Sequence, residues 1–327
     1  MKAIQFSSFG EPTSVLEIVE KNIPALQPDE IQVKMLLRPI NPYELLIVKG
    51  QYNFKPPLPA IPGFEGMGIV QNVGNAVPHI RAGQKVLSVG LPGTWQEVMV
   101  GKAANFLPLP PNVTDESAAL IANPLTCYIV LKEVFKIRKA DWLLDTASTT
   151  HIGRLLIQYA PVFDFNLISV VRNAEQAEEL RALGAKNIIN LEQDKLVTAV
   201  ANYTKEGPHF VLESLGGENG SAAISTLRYG GTALMFSKLS KQNLSIDPAL
   251  MTGRMLTAMG YTSLNWLGHS TPEKKFEVFS AVLGLLTQQK IVPPVEAIYP
   301  LEEFKAAIDH SQQSGRKGKV LLQSNAG

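Results

Sequence analysis

The sequence predicts an α/β chain in which a β-rich domain is interrupted by a doubly wound parallel sheet. Three observations predict it. The chain has 327 residues, beyond the size at which a single hydrophobic core keeps growing, so two domains are expected. The first third is a run of short strands broken by turns, and the middle alternates strands with helices.

From Met1 to about residue 118, EIQVKMLLRPI, GMGIVQNVG and QKVLSVG are short, rich in branched residues and bounded by Gly, Pro, Asn or Asp. Their spacing suits a compact, antiparallel, barrel-like domain. The prolines of KPPLPAIPG and LPLPPNV favour extended connections, because each fixes its own φ and disfavours helix in its predecessor. ESAALIANPLTCYIVLKEVF then reads as a helix, broken or restarted near Pro124. WLLDTA, NLISVV, NIIN, HFVLES, GTALMF and MLTAMG are six strand signals, mostly separated by helical patterns such as IGRLLIQYA and AEQAEELRALGA, the latter closed by Gly184. Such alternation implies right-handed crossovers, a parallel sheet and a dinucleotide site at the strands' carboxyl ends. The helical PEKKFEVFSAVLGLLTQQK, the strand EAIYP, the helix EEFKAAIDHSQ and the strand KVLLQ do not extend the alternation. They are read as a return to the first domain, giving 1–118 with 262–327 and an inserted domain of 119–261.

Composition narrows the partners. Hydrophobic residues make up 45% and charged residues 18%, and the net charge of +1 gives no global attraction to nucleic acid or an anionic membrane. No apolar run approaches the roughly 18 residues of a membrane span, and MKAIQFSSFGEP lacks a signal peptide's apolar core. The expected compartment is cytoplasmic. One cysteine, Cys127, rules out an internal disulfide, and the five histidines show no ligand spacing, so no metal site is expected. Cys127 reads as a buried helical thiol rather than a nucleophile, with no histidine near it in sequence.

The turn after WLLDTA should receive a pyrophosphate on the free N–H groups of the next helix. It reads Ala147-Ser148-Thr149-Thr150-His151-Ile152-Gly153. Laid on G-x-G-x-x-G, it keeps only Gly153, with Ser148 and Thr150 in the other glycine positions. Hydroxyls can donate to phosphate; the same residues also suit an ordinary strand–turn–helix with Ser or Thr as N-cap. The second strand ends at Arg172, where an NAD site would carry Asp or Glu to accept from the ribose. A guanidinium suits a 2′-phosphate, so NADPH is favoured, although a solvated Arg opening a helix would look the same.

Several segments in order carry a resemblance: Asn41-Pro42, KGQY ending at Tyr52, PGFEGMGIVQNVG from Pro62, GTWQE from Gly93, NPLTCY from Asn123, SVVRN from Ser169 and ESLGG from Glu213. With these the chain resembles the zinc-free medium-chain dehydrogenases/reductases, in the branch of quinone oxidoreductases and mitochondrial-type 2-enoyl thioester reductases. The resemblance implies a GroES-like catalytic domain with an inserted Rossmann domain, and commonly a homodimer joined at the sheet edge MLTAMG. Zinc-dependent members place ligands near Tyr43 and at Phe64, and here both positions are aromatic. The resemblance also implies cofactor contacts from Asn41, Thr126, Ser214, Phe236 and Lys319, besides the loop Ser148–Gly153 and Arg172. Phe236 would equally suit a core aromatic.

Without zinc to stabilise an alkoxide, the chemistry implied is hydride transfer to the β-carbon of an enone or enoyl thioester, with protonation at the α-carbon. Tyr52 matches the position of the catalytic Tyr of the enoyl reductases; a phenol is an ordinary hydrogen-bond donor at neutral pH. Tyr52 could instead only pack at the site's mouth, as in NADPH:quinone oxidoreductases, which form one alternative. A non-catalytic NADPH-binding protein is another. The chain departs from the family pattern at Thr262, where enoyl reductases carry Trp, at His151, where the loop usually has Gly, and at Glu175 and Gln176, where quinone reductases supply Lys.

Overall fold

The computed structural model describes residues 1–324 as two units. One comprises Met1–Ala122, Leu283–Gln289 and the chain from Pro293 onward, and the other comprises Asn123–Val282 and Lys290–Val292. The first unit resumes at Leu283, so the segment from 262 to 282 belongs to the inserted one. The intervening segment packs with the inserted unit: Thr126 Oγ1 lies 3.1 Å from Ser263 Oγ, and Lys274 pairs with Glu133 at 3.1 Å.

The first unit opens with β1 (Lys2–Phe6) and β2 (Leu16–Glu20), an antiparallel pair. β3 (Glu30–Pro39), β4 (Glu65–Val73), β5 (Lys85–Val89), β6 (Val98–Lys102) and β7 (Phe106–Pro108) follow. β3 alternates buried and half-buried residues, as a strand with one face on a core should. That face buries Ile31, Val33 and Met35 against Val70, Val86 and Phe106.

The second unit holds β8 (Trp142–Asp145), β9 (Asn166–Val171), β10 (Asn187–Asn190), β11 (Phe210–Glu213), β12 (Thr232–Met235) and β13 (Thr257–Gly260). All six expected strands form one parallel sheet in the order β10-β9-β8-β11-β12-β13. Its central strands are apolar on both faces because helices cover both, and β9 is buried at every position after its first. Gly184 ends the helix Ala174–Ala182 at a φ of 98°, a conformation that a side chain would strain. Pro124 lies in the first turn of the helix Ala122–Ile129, where no N–H partner is lost.

Two last strands, β14 (Val295–Pro300) and β15 (Lys319–Gln323), return to the first unit. β15 lies between β14 and β3, completing the order β14-β15-β3-β4-β5-β7, with β6 also paired to β3. The wholly buried Arg38 secures this junction, donating to Leu36 O, Gln96 O and Ser324 Oγ. Among the described residues no helix is long and apolar enough to cross a membrane.

Candidate active site

In the second unit the expected cofactor residues gather at the carboxyl ends of β9, β8, β11 and β12. The loop after β8 is built around Asp145. Ser148 Oγ donates to its Oδ2 at 2.8 Å and accepts from the Val170 N–H at 3.1 Å, which ties β8 to β9. Burial raises the Asp145 carboxyl to about 6, aided by Glu213 and opposed by the bonds from Ser148 and Ala147. Ser148 is wholly buried and its hydroxyl is engaged within the loop, which corrects the expectation of a phosphate donor there. A hydroxyl beside a buried carboxylate and an otherwise open N–H satisfies both.

Thr150 takes the N-cap position of the helix His151–Phe163, its Oγ1 accepting from Gly153 N–H at 3.2 Å. A Cβ on Gly153 would stand 2.4 Å from Ser148 Cα and O, so only glycine lets the helix approach the loop this closely. The segment is thus a capped strand–turn–helix, whose helix N-terminus is of the kind that suits an anion. Thr149 and Ile152 are half-buried, and the Thr149 carbonyl accepts from Arg154 Nε at 3.1 Å. Arg154, missed in the sequence reading, is 4% exposed and pairs with Glu179 at 2.7 Å, joining the loop to the helix Ala174–Ala182. Its signal was a charge following Gly153 in an otherwise apolar helix start. His151 Nδ1 lies 2.8 Å from Asn123 Nδ2, which fills the glycine position with an anchored ring.

Arg172 ends β9, with its backbone N–H held by Gln176 Oε1 at 3.0 Å. Its side chain is exposed and has no hydrogen-bond or ionic partner among the described residues. Ser214 N–H donates to Thr146 Oγ1 at 2.9 Å, fixing the turn after β11 beside the loop. Phe236 is half-buried and stacks on Tyr261 with ring centroids 6.4 Å apart. Thr126 is 5% exposed, beside the buried Cys127, whose thiol is pushed up by burial and is unsuited to act as a thiolate.

The first unit joins Asn41 and Lys319, two residues 278 positions apart. Lys319 Nζ donates to Asn41 Oδ1 at 2.7 Å, and Asn41 Nδ2 donates to Glu65 Oε2 at 3.3 Å. Glu65 Oε1 accepts from the Ala122 N–H at 2.5 Å. Glu44 accepts from the Asn41 and Phe64 N–H groups, at 2.8 and 2.9 Å. Burial raises Glu44 to about 8 and Glu65 to about 7, and lowers Lys319 to about 8. Neither glutamate was singled out in sequence. The readable signals were the Asn41-x-x-Glu44 spacing of a capping box and a lone charge within Gly63-Phe64-Glu65-Gly66-Met67.

Tyr52 is half-buried, its ring 6.2 Å from that of Tyr43. Tyr43 packs on Phe64 at 6.0 Å, and Phe64 on Phe54 at 5.9 Å. Burial pushes the Tyr43 phenol up, so it stays protonated. Rings such as these offer a metal nothing to bind at the Phe64 position. Among the described residues no three His, Cys, Asp or Glu side chains converge as a metal site would require.

Comparison with known proteins places these features. Residues 27–111 match the alcohol dehydrogenase GroES-like domain, and residues 152–283 match the zinc-binding dehydrogenase domain. The chain is 30% identical to the mitochondrial enoyl-[acyl-carrier-protein] reductase of Xenopus tropicalis, over 98% of this chain and 95% of that protein. A Bacillus thuringiensis protein crystallised as a candidate NADPH:quinone reductase is 35% identical with a TM-score of 0.92, covering 99% of both chains. Escherichia coli quinone oxidoreductase, solved with NADPH, is 25% identical with a TM-score of 0.87, over 99% of this chain and 100% of that one. The chain therefore belongs to the zinc-free branch of the medium-chain dehydrogenase/reductase superfamily.

Proposed function

We propose that the chain is an NADPH-dependent, zinc-independent reductase of α,β-unsaturated carbonyls, either enoyl thioesters or enones. The observation carrying this reading is the group around Tyr52. A phenol stands beside packed aromatic rings at positions where zinc-dependent relatives hold their metal, so stabilisation of developing charge falls to hydrogen-bond donors. The resemblance to an enoyl reductase over nearly the whole chain supports the substrate class.

NADPH fits the residues of the second unit. The N–H groups at the start of the helix His151–Phe163 and the Thr150 hydroxyl suit the pyrophosphate, Gly153 lets that helix start close against the loop, and Arg172 suits the 2′-phosphate. The resemblance adds Ser214 after β11, Phe236 after β12 and Lys319 as further cofactor contacts, with Asn41 and Thr126 near the nicotinamide. When bound, NADPH supplies the hydride. On the protein's side, the Tyr52 hydroxyl donates to the electron-rich carbonyl product and passes its proton to the α-carbon, then regains one from water.

The alternative acceptor class is a quinone, as in the relative from Escherichia coli. A quinone takes up two electrons without forming a C–H bond and needs little from Tyr52. Steady-state assays of Tyr52→Phe should show enoyl-thioester or enone reduction falling about 10²-fold or more, with quinone reduction largely kept. Equal retention with both acceptors would remove Tyr52 as the proton donor.

We also infer a homodimer formed along β13. This strand ends the sheet order, pairs among the described residues only with β12, and has four exposed residues flanked by Met255, 64% exposed. An open apolar edge of this kind pairs readily with a second copy. Sedimentation velocity should find two chains, and Ala258→Pro should return one. A wild-type monomer at micromolar concentration would exclude this interface.

A further inference from the structure

We propose that Lys319 and Glu65 are positioning residues that clamp the Asn41 carboxamide in one orientation, and that the clamp loosens when Glu65 takes up a proton. The inference rests on the reading above that Asn41 faces the nicotinamide.

A carboxamide can be turned end for end at little steric cost, exchanging its donor and acceptor faces. Two partners prevent this for Asn41. An ammonium only donates, so the atom 2.7 Å from Lys319 Nζ must be Oδ1. An ionised carboxylate only accepts, so Glu65 Oε2 requires Nδ2 at 3.3 Å. Both demands select the same orientation, and all three side chains are at least nine-tenths buried, where such preferences are strong. The backbone is fixed as well, because Glu44 holds the Asn41 N–H at 2.8 Å. A reduced nicotinamide carries its own carboxamide, which must find a donor and an acceptor in a set arrangement. A clamped Asn41 presents one arrangement only.

Glu65 can release the clamp because its two oxygens are already occupied as acceptors, by the Ala122 N–H and by Asn41. A proton on either oxygen turns that oxygen into a hydroxyl and a weaker acceptor, so one of these contacts loosens. The Ala122 contact is the shorter, at 2.5 Å, so the Asn41 contact yields. The titratable groups acting on this trio are Glu44 and the Tyr43 phenol, which also bonds Asn41, on the helix Pro42–Val48, and Arg316, ahead of β15. Burial raises Glu65 to about 7 against the pull of Ala122, Lys319 and Asn41, so the change falls near neutrality.

The test compares two ligands by fluorescence-competition titration: NADPH, and 2′-phospho-ADP-ribose, which is the same molecule without the nicotinamide. Their affinity ratio isolates contacts to the ring. For the wild-type protein the ratio should be about 10 between pH 7 and 8, where Glu65 is ionised and Lys319 still charged, and shrink toward unity as the pH falls through about 7. Glu65→Gln offers one acceptor where two donors need one each, and should lose both the ratio and its pH dependence. Lys319→Met should lose the ratio, and Lys319→Arg, which keeps a donor, should restore most of it. Melting curves on each variant establish that it is folded, and the Arg substitution keeps the test informative if the Met variant is unstable. A ratio lost in Asn41→Ala but kept, with its pH dependence, in Glu65→Gln and Lys319→Met would overturn the clamp while leaving Asn41 at the nicotinamide. A ratio unchanged in Asn41→Ala would overturn the placement of Asn41 itself, and the clamp with it.

Discussion

Gly153→Ala should weaken NADPH binding by about 10²-fold or more and lower stability by about 2 kcal/mol. The added carbon would lie 2.4 Å from Ser148 Cα and O, and backbone atoms cannot swing aside as a side-chain terminus can. Ser148 has no room to retreat either, because its hydroxyl joins Asp145 to the Val170 N–H. The helix and loop must therefore separate, which disturbs the Thr150 cap and the free N–H groups that would face a pyrophosphate. Fluorescence titration with NADPH, beside thermal melts, reads both effects. Gly268→Ala is the matched control, since a Cβ there meets nothing within 4 Å. Binding within about 3-fold of wild type in Gly153→Ala would show that this loop does not cradle the phosphates.

Arg172→Ala should raise the Kd for NADPH by about 10²-fold and leave that for NADH nearly unchanged. The guanidinium has no partner among the described residues to give up, while its backbone is held at the end of β9 by Gln176, so its donors are available at little cost. NADH lacks the 2′-phosphate and gains nothing from them. Parallel titrations with the two cofactors decide the matter. Equal losses for both would mean that Arg172 supports the strand end rather than discriminating between cofactors.

The inserted sheet was readable from sequence because buried parallel strands are near-continuous apolar runs, and β8 to β13 each show one between helical patterns. The point of return was not. The helix Pro272–Thr287 spans the boundary at Leu283, and its periodicity does not reveal that its two ends serve different cores. Position along the alternation marked the candidate cofactor loop, and the end of the second strand marked Arg172. The role of Ser148 was hidden, since a turn hydroxyl looks the same whether it faces solvent or a buried carboxylate. Glu44 and Glu65 were hidden for a related reason. A charge in a short helix or on a strand ordinarily signals solvent, and these two are buried in a cluster completed by Lys319 on β15, which lies far along the chain.

The position of β15 has a consequence for how the molecule is made on the ribosome. Residues 1–122 emerge first, yet the central strand β3 lacks its β15 neighbour, and Asn41 its lysine, until residue 323 has been added. At about 5–20 residues per second, that interval is on the order of tens of seconds. The inserted unit, almost contiguous in sequence, emerges whole during the wait. Its candidate cofactor loop can therefore form before Asn41 gains Lys319, and a nascent chain released short of β15 would carry the one without the other.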